Sequence, residues 1–361
     1  MAITKIPAAG FTGNNFRNII INGDMSIAQR GTSFNGINSG STNFGVDRFN
    51  FEVTSLGAWT ISQDTDVPTG QGFAKSLKLD CTTADASPGA NDLAVLTQNI
   101  EGQNLQYLKK GTANAQSLTL SFWVKSNKTG TYIAELRDVD NNRTINKSYT
   151  INSSNTWEKK TISYDGDTTG TLDNDNGKSF QLNLWLGGGS GWTSGTLQTS
   201  WGSSTLANRQ VGQVNLADST SNEWYITGVQ LEAGTSASDF EFLPYDVNLR
   251  RCMRYYWVLA KGIKFVGVMT QYSAADARVT GHYIVPMRTT PSLDQVSGTD
   301  YYRFYRNGTN DRLDDFIFNT NYTNEYVYQI YNASDMSGTG GQAGWVQGFN
   351  GSVYIAFDAE L

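Results

Sequence analysis

From residue 44 to about residue 245, apolar and polar side chains alternate with a period of two. In residues 117–125, Leu118, Leu120, Phe122 and Val124 share one face, and Thr119, Ser121, Trp123 and Lys125 share the other. Phe180, Leu182, Leu184 and Leu186 repeat the pattern against Gln181, Asn183 and Trp185. Shorter versions occur at Leu77/Leu79/Cys81 and at Val229/Leu231. This is the period of a strand packed on one face only. Several such strands predict a β-sandwich of jelly-roll type over residues 45–245.

The period changes over residues 246–257. Leu249, Cys252, Met253 and Tyr256 lie at i, i+3, i+4 and i+7, which predicts a short connector helix with Asp246 as its cap. Alternation returns over residues 258–361, at residues 326–331 and at Val353/Ile355/Phe357, with a Gly-rich turn at residues 337–341. A second β-sandwich domain is expected there. Residues 1–44 have little periodicity beyond the run Ile19, Ile20, Ile21, and read as a Gly/Asn-rich arm. Such a segment buries too little surface to order itself, so the rest of the chain or a neighbouring subunit must hold it. The expected fold class is all-β.

Composition agrees with short strands and many turns, with 37 Gly and 12% aromatic residues in 361. The net charge is −6 with no basic block, which argues against nucleic acid as a partner. The most apolar long stretch, residues 255–269, is interrupted by Lys261 and Lys264, so no membrane insertion is expected. Residues 1–16 lack the pattern of a signal peptide. Cys81 and Cys252 are too few for a disulfide framework and read as small buried residues. His282, the one histidine, leaves most nucleophile–base schemes without a base. Asp138, Asp140 and Asn141, like Asp173, Asp175 and Asn176, do not continue into a calcium loop and read as solvated turns. No catalytic residue, metal or cofactor is expected.

The tryptophans carry the candidate chemistry. Trp123 and Trp185 fall on the polar faces of their strands, Trp192 lies in the Gly-rich loop 187–195, and Trp201 stands among small residues. Indoles left outside a core offer flat apolar faces for sugar C–H groups, with Asn, Gln and Asp nearby for hydroxyls. The competing reading packs them under loops or against a neighbouring subunit.

Four stretches carry a family resemblance. They are residues 18–32 (NIIINGDMSIAQRGT) with 45–50 (GVDRFN), and 98–102 (QNIEG) with 120–127 (LSFWVKSN) and 129–132 (TGTY). The third is 226–234 (ITGVQLEAG) leading to 240–245 and 251–256 (RCMRYY), and the last is the ending 356–361 (AFDAEL). In this order they resemble bacteriophage tail-fibre and minor virion proteins, with a middle portion similar to carbohydrate-binding-module jelly rolls. The resemblance implies a virion tail component, synthesised in the host cytoplasm, that adsorbs to a host surface polysaccharide as a homotrimer. It implies attachment to other virion proteins through the arm. The β-helical repeats of enzymatic tailspikes are lacking, so a depolymerase is not expected. A purely architectural virion component is the alternative.

Overall fold

The computed structural model describes residues 16–39 and 43–361. The first of two β-sandwich units packs a six-stranded antiparallel sheet on a seven-stranded one. Across the six-stranded sheet the order is Ser33–Ile37, Ala58–Asp64, Ser76–Thr83, Glu223–Ala233, Leu118–Ser126 and Glu158–Tyr164. Across its partner it is Gly202–Ser203, Arg143–Ile151, Gly130–Asp138, Lys178–Gly188, Leu93–Glu101, Phe49–Thr54 and Asn43–Val46. The alternation explains the layering. Leu120, Phe122 and Val124 point inward from one sheet, Phe180, Leu182 and Leu184 from the other, and all six belong to one buried core.

The expected arm differs from its description. From Phe16 to Ser39 it is part of this unit: Ile20 and Met25 are core residues, and Ser33–Ile37 is an edge strand. Asn18 Nδ2 donates to the Val229 carbonyl at 3.1 Å, and Ile19 N donates to the Leu231 carbonyl at 2.9 Å. Gln98, buried between the sheets, bonds both the N–H and the C=O of Ile21 at 2.8 and 2.9 Å. Gly23 runs so close to the Val229 carbonyl that no Cβ would fit. A weak hydrophobic period hides these contacts because the segment is held by backbone and amide hydrogen bonds. The remainder of the expected arm, residues 1–15, and residues 40–42 lie outside the described residues.

The second unit pairs a three-stranded sheet (Tyr256–Lys261, Tyr354–Asp358, Ser292–Val296) with a seven-stranded one. The latter runs Thr309–Leu313, Tyr302–Arg306, Ala343–Gly348, Phe265–Gln271, Ala277–His282, Val327–Asn332 and Ile317–Phe318. Its core is built around Trp257, stacked on Phe357 at 5.7 Å. The connector helix spans Tyr245–Met253, shorter than expected. Pro244 precedes it, and Asp246 lies in the first turn, where its charge suits the helix N-terminus, rather than capping it. Tyr256 already belongs to the next strand.

Asp138 also differs from a solvated turn. It is fully buried, paired with Lys110, and accepts from Asn141 N at 3.0 Å. Both cysteines are buried and free, and His282 is exposed at a strand end.

The two units meet over a small apolar cluster of Ile21, Ile27, Cys252 and Tyr255. Around it lies a lattice of buried charge. Glu101 accepts from Arg254 Nε and Nη2 at 2.8 and 2.7 Å, from Gln103 Nε2 at 2.6 Å, and from the Tyr255 hydroxyl. The Arg48 guanidinium stacks 3.4 Å above the Tyr255 ring, pairs with Glu360 and donates to the Asn99 carbonyl at 2.6 Å. Burial alone would raise the Glu101 pKa, but the bonds from Arg254 and Tyr255 and the charge of Arg254 hold it below the ordinary carboxylate value of 4.5.

Removing one partner of such a buried pair leaves the other desolvated and uncompensated, typically at a cost of about 3–5 kcal/mol. Glu101→Gln is therefore expected to lower the free energy of unfolding by about 3 kcal/mol in a urea titration near neutral pH. Because the folded-state pKa is depressed, the contribution of Glu101 is present above pH 4.5 and lost as pH falls through the lower folded value. The variant should show a flatter decline of stability on the acid side. A variant that unfolds at the wild-type urea concentration would show that the lattice contributes little.

Candidate functional site

Inward residues of the strand Leu118–Ser126 are consumed by the core, which leaves Ser121, Trp123 and Lys125 on the outer face of the six-stranded sheet. There Trp123 pairs across the sheet with Lys159 on one side and Thr227 on the other. The strand Glu223–Ala233 shifts register between Thr227 and Gln230. The bulge is made by Gly228, whose φ of +63° suits glycine. A Cβ at Gly228 would stand 2.6 Å from the Phe73 ring. The missing side chain therefore admits Phe73, which packs against Phe240 and Phe242 at 5.1 Å each.

These elements enclose a groove of about 320 Å³ lined by Trp123, Phe73, Phe240, Phe242, Gln71, Lys159 and Asp239. Trp123 is half-buried and Phe242 is exposed. The side chains of Gln71, Lys159 and Asp239 are exposed and have no hydrogen-bond or ion-pair partner among the described residues. The groove thus combines an apolar aromatic wall with one amide, one cation and one carboxylate free to bond. It offers a ring-shaped ligand both stacking area and hydroxyl partners.

The other sequence candidates are arranged differently. Trp185 does point outward, from the seven-stranded sheet, but is only 2% exposed. Its Nε1 donates to Glu135 Oε2 at 2.9 Å, and Glu135, itself fully buried, takes both arms of Arg209 at 2.9 Å. The Arg209 guanidinium lies 5.0 Å from the Trp185 ring and 5.3 Å from that of Trp192, and the two indoles are 5.5 Å apart. Trp192 is half-buried and therefore mainly lids Trp185. Trp201 is also half-buried, 5.9 Å from Phe180, with Nε1 bonded to the Asp165 carbonyl at 2.7 Å. The structure brings Trp185 and Trp192 together, sets Trp201 at the sheet edge, and places Trp123 on the opposite sheet.

Sequence reasoning missed Phe73, Phe240, Phe242, Gln71, Lys159 and Asp239. The alternation of Phe240 and Phe242 is a faint signal, but their approach to Trp123 depends on the bulge at Gly228, which no period reveals.

The two kinds of tryptophan should separate on stability. Trp185→Ala removes a fully buried ring together with the bond its Nε1 gives Glu135, so a loss of about 3–5 kcal/mol is expected. Trp123→Ala, on an open face, should cost about 1 kcal/mol or less by the same denaturant titration. Equal losses at the two positions would show that Trp123 is a packing residue.

No known family profile matches the sequence, and no curated protein matches it. Among solved structures the chain is similar to the enzymatically active domain of tailspike protein 4 from bacteriophage CBA120, at 15% identity and a TM-score of 0.32. That match covers 60% of this chain and only 22% of the tailspike domain, so the chain spans about a fifth of its length. A putative sugar-binding protein from Bacteroides thetaiotaomicron aligns at 13% identity and TM-score 0.34, over 60% of this chain and 100% of the other. A family 11 carbohydrate-binding module from Clostridium thermocellum, in complex with a mixed-linked tetrasaccharide, aligns at 11% identity and TM-score 0.27, over 57% and 98%. All three TM-scores lie below 0.5.

Proposed function

We propose that the protein is a receptor-recognition or fibre module of a bacteriophage tail, which adsorbs to a host surface glycan without cleaving it. The observation that carries this reading is the Trp123 groove, where an uncommitted indole stands beside the unpaired side chains of Gln71, Lys159 and Asp239. The motif resemblance supports the virion assignment. Each stacked ring contributes on the order of 1 kcal/mol, so a single site binds weakly. Three copies on one fibre would multiply the apparent affinity through effective concentration. The partners are then host polysaccharide and other tail proteins. An attachment role for the N-terminal segment falls to the residues before Asn18, because from Asn18 on the segment is bonded into the sandwich.

A second reading, an architectural virion component, draws on the outer face of the C-terminal seven-stranded sheet. Trp345 and Tyr305 stack there at 5.4 Å with Val268 and Phe265 exposed beside them. Exposed apolar patches of this kind suit contact with other protein chains.

Binding of the purified protein to host cells distinguishes the two. Trp123→Ala is expected to reduce binding of a single copy roughly five-fold, from the stacking term above, and adsorption of the assembled fibre by more. Incubation with purified host polysaccharide should release no new reducing ends. Adsorption by a folded Trp123→Ala protein at the parental level would remove the groove from the reading, and no glycan binding at all would favour the architectural one. Light scattering should return three times the chain mass at micromolar concentration, and a stable monomer would overturn the trimer.

A further inference from the structure

Where the connector helix meets the jelly roll, a cleft of about 390 Å³ opens beside the buried charge lattice. It shares no lining residue with the Trp123 groove. Its lining is mixed: Ile19, Ile100, Phe16 and Tyr107 supply apolar surface, the last two about half-exposed, and Asn18, Gln98, Asn99, Gln103 and Asn104 supply amides. Two arginines of the helix end line it, and they are engaged very differently. Arg254 has both of its bonding nitrogens on Glu101. Glu101 is also taken by Tyr255 and Gln103, so its oxygens have little capacity left.

Arg251 is one helical turn away and has no carboxylate within ion-pair distance among the described residues. Its one protein hydrogen bond there is from Nη2 to the Asn18 carbonyl, long at 3.4 Å, and its guanidinium sits 5.8 Å from the Phe16 ring. A guanidinium has five N–H donors, so most of its capacity is unspent. Burial pushes its pKa down, and the nearby Cys252, Tyr255 and Glu241, none of them in ion-pair contact, offset this only in part. The lattice beside it shows what satisfies an arginine in this environment: a bidentate carboxylate and an aromatic face.

We propose that this cleft is a second ligand site, which takes a carboxylate carried on a compact ring with an apolar face. The carboxylate lies on Arg251, and the ring lies against Tyr107 and Phe16. An acidic sugar residue of a surface polysaccharide has this chemistry, and so does a free cyclic carboxylic acid. The proposal does not rest on the groove or on the adsorption reading.

The test is calorimetric titration of the full chain with glucuronate, glucose and cyclohexanecarboxylate. Glucuronate or cyclohexanecarboxylate should bind and glucose should not; the carboxylate that binds identifies the source. Arg251→Ala should weaken that binding about ten-fold, Arg251→Lys should lose less, and Tyr107→Ala, at an exposed position, should weaken it without affecting the fold. Trp123→Ala should leave it unchanged. Equal binding of glucose and glucuronate, no carboxylate binding at millimolar concentration, or a folded Arg251→Ala protein that binds like the parent would each overturn the proposal. Loss of the signal in Trp123→Ala instead would place the ligand in the groove and overturn it equally.

Discussion

The arrangement of the molecule depends on keeping ionised groups paired where water is excluded. Glu101 has no exposed surface, and the Arg48 side chain is 2% exposed. A charge taken out of water at such a site costs several kcal/mol unless its partners are in place. Those partners come from distant parts of the chain: Arg254 and Tyr255 from the end of the connector helix, and Glu360 from the penultimate position. Arg30, from the segment preceding the first strand, also pairs with Asp358 at 3.2 Å and stacks on Tyr256 at 3.5 Å. The N-terminal segment, the helix and the C-terminus must therefore dock together. The geometry is satisfied only when both sandwiches are formed, which gives the junction its specificity.

The same accounting explains where a ligand surface is available. In the first sandwich, the inward faces are filled by aliphatic and aromatic side chains. Polar residues on the outer face of the seven-stranded sheet are largely consumed among themselves, as Glu135 is by Arg209, Trp185 and Asn183. The loop bearing Trp192 closes over that face. On the six-stranded sheet no such loop among the described residues covers Trp123. Instead a bulge admits Phe73 and its two phenylalanine neighbours, and they make a wall rather than a lid.

Strands are legible because one-sided burial imposes a period of two, and residues 118–125 and 180–186 fall on the faces that period predicts. The outward direction of Trp123 and Trp185 follows from the same count, but their different fates do not. Burial of Trp185 depends on Arg209 and Trp192, both from a covering loop whose path has no periodic signature. Residues 16–30 escape the pattern for a related reason, since Asn18, Asn22 and Gln98 hold that segment by hydrogen bonds invisible to any hydrophobic period. Asp138 has the sequence setting of a turn residue, and its partner Lys110 lies 28 positions earlier. Long-range pairing of polar groups is what a single sequence conceals.

The motif stretches that carry the family resemblance gain a physical meaning from this pairing. Asn18, Asn22 and Arg30 in the first, Asp47 and Arg48 in the next, and Gln98 and Glu101 after them are all hydrogen-bonded or ion-paired at or beside the junction. So are Arg254 and Tyr255, and Asp358 and Glu360 near the end. They are framework. Residues of a binding surface obey the opposite rule, because a side chain already satisfied within the protein has little left for a ligand. By that criterion the informative polar groups are the unspent ones: Gln71, Lys159 and Asp239 beside Trp123, and Arg251 beside Tyr107. None of them except Arg251 belongs to a motif stretch, and Arg251 differs from its motif neighbour Arg254 in making no ion pair among the described residues. Framework chemistry keeps two sandwiches in register, while the surfaces open to ligands lie where that chemistry leaves polar groups without a partner.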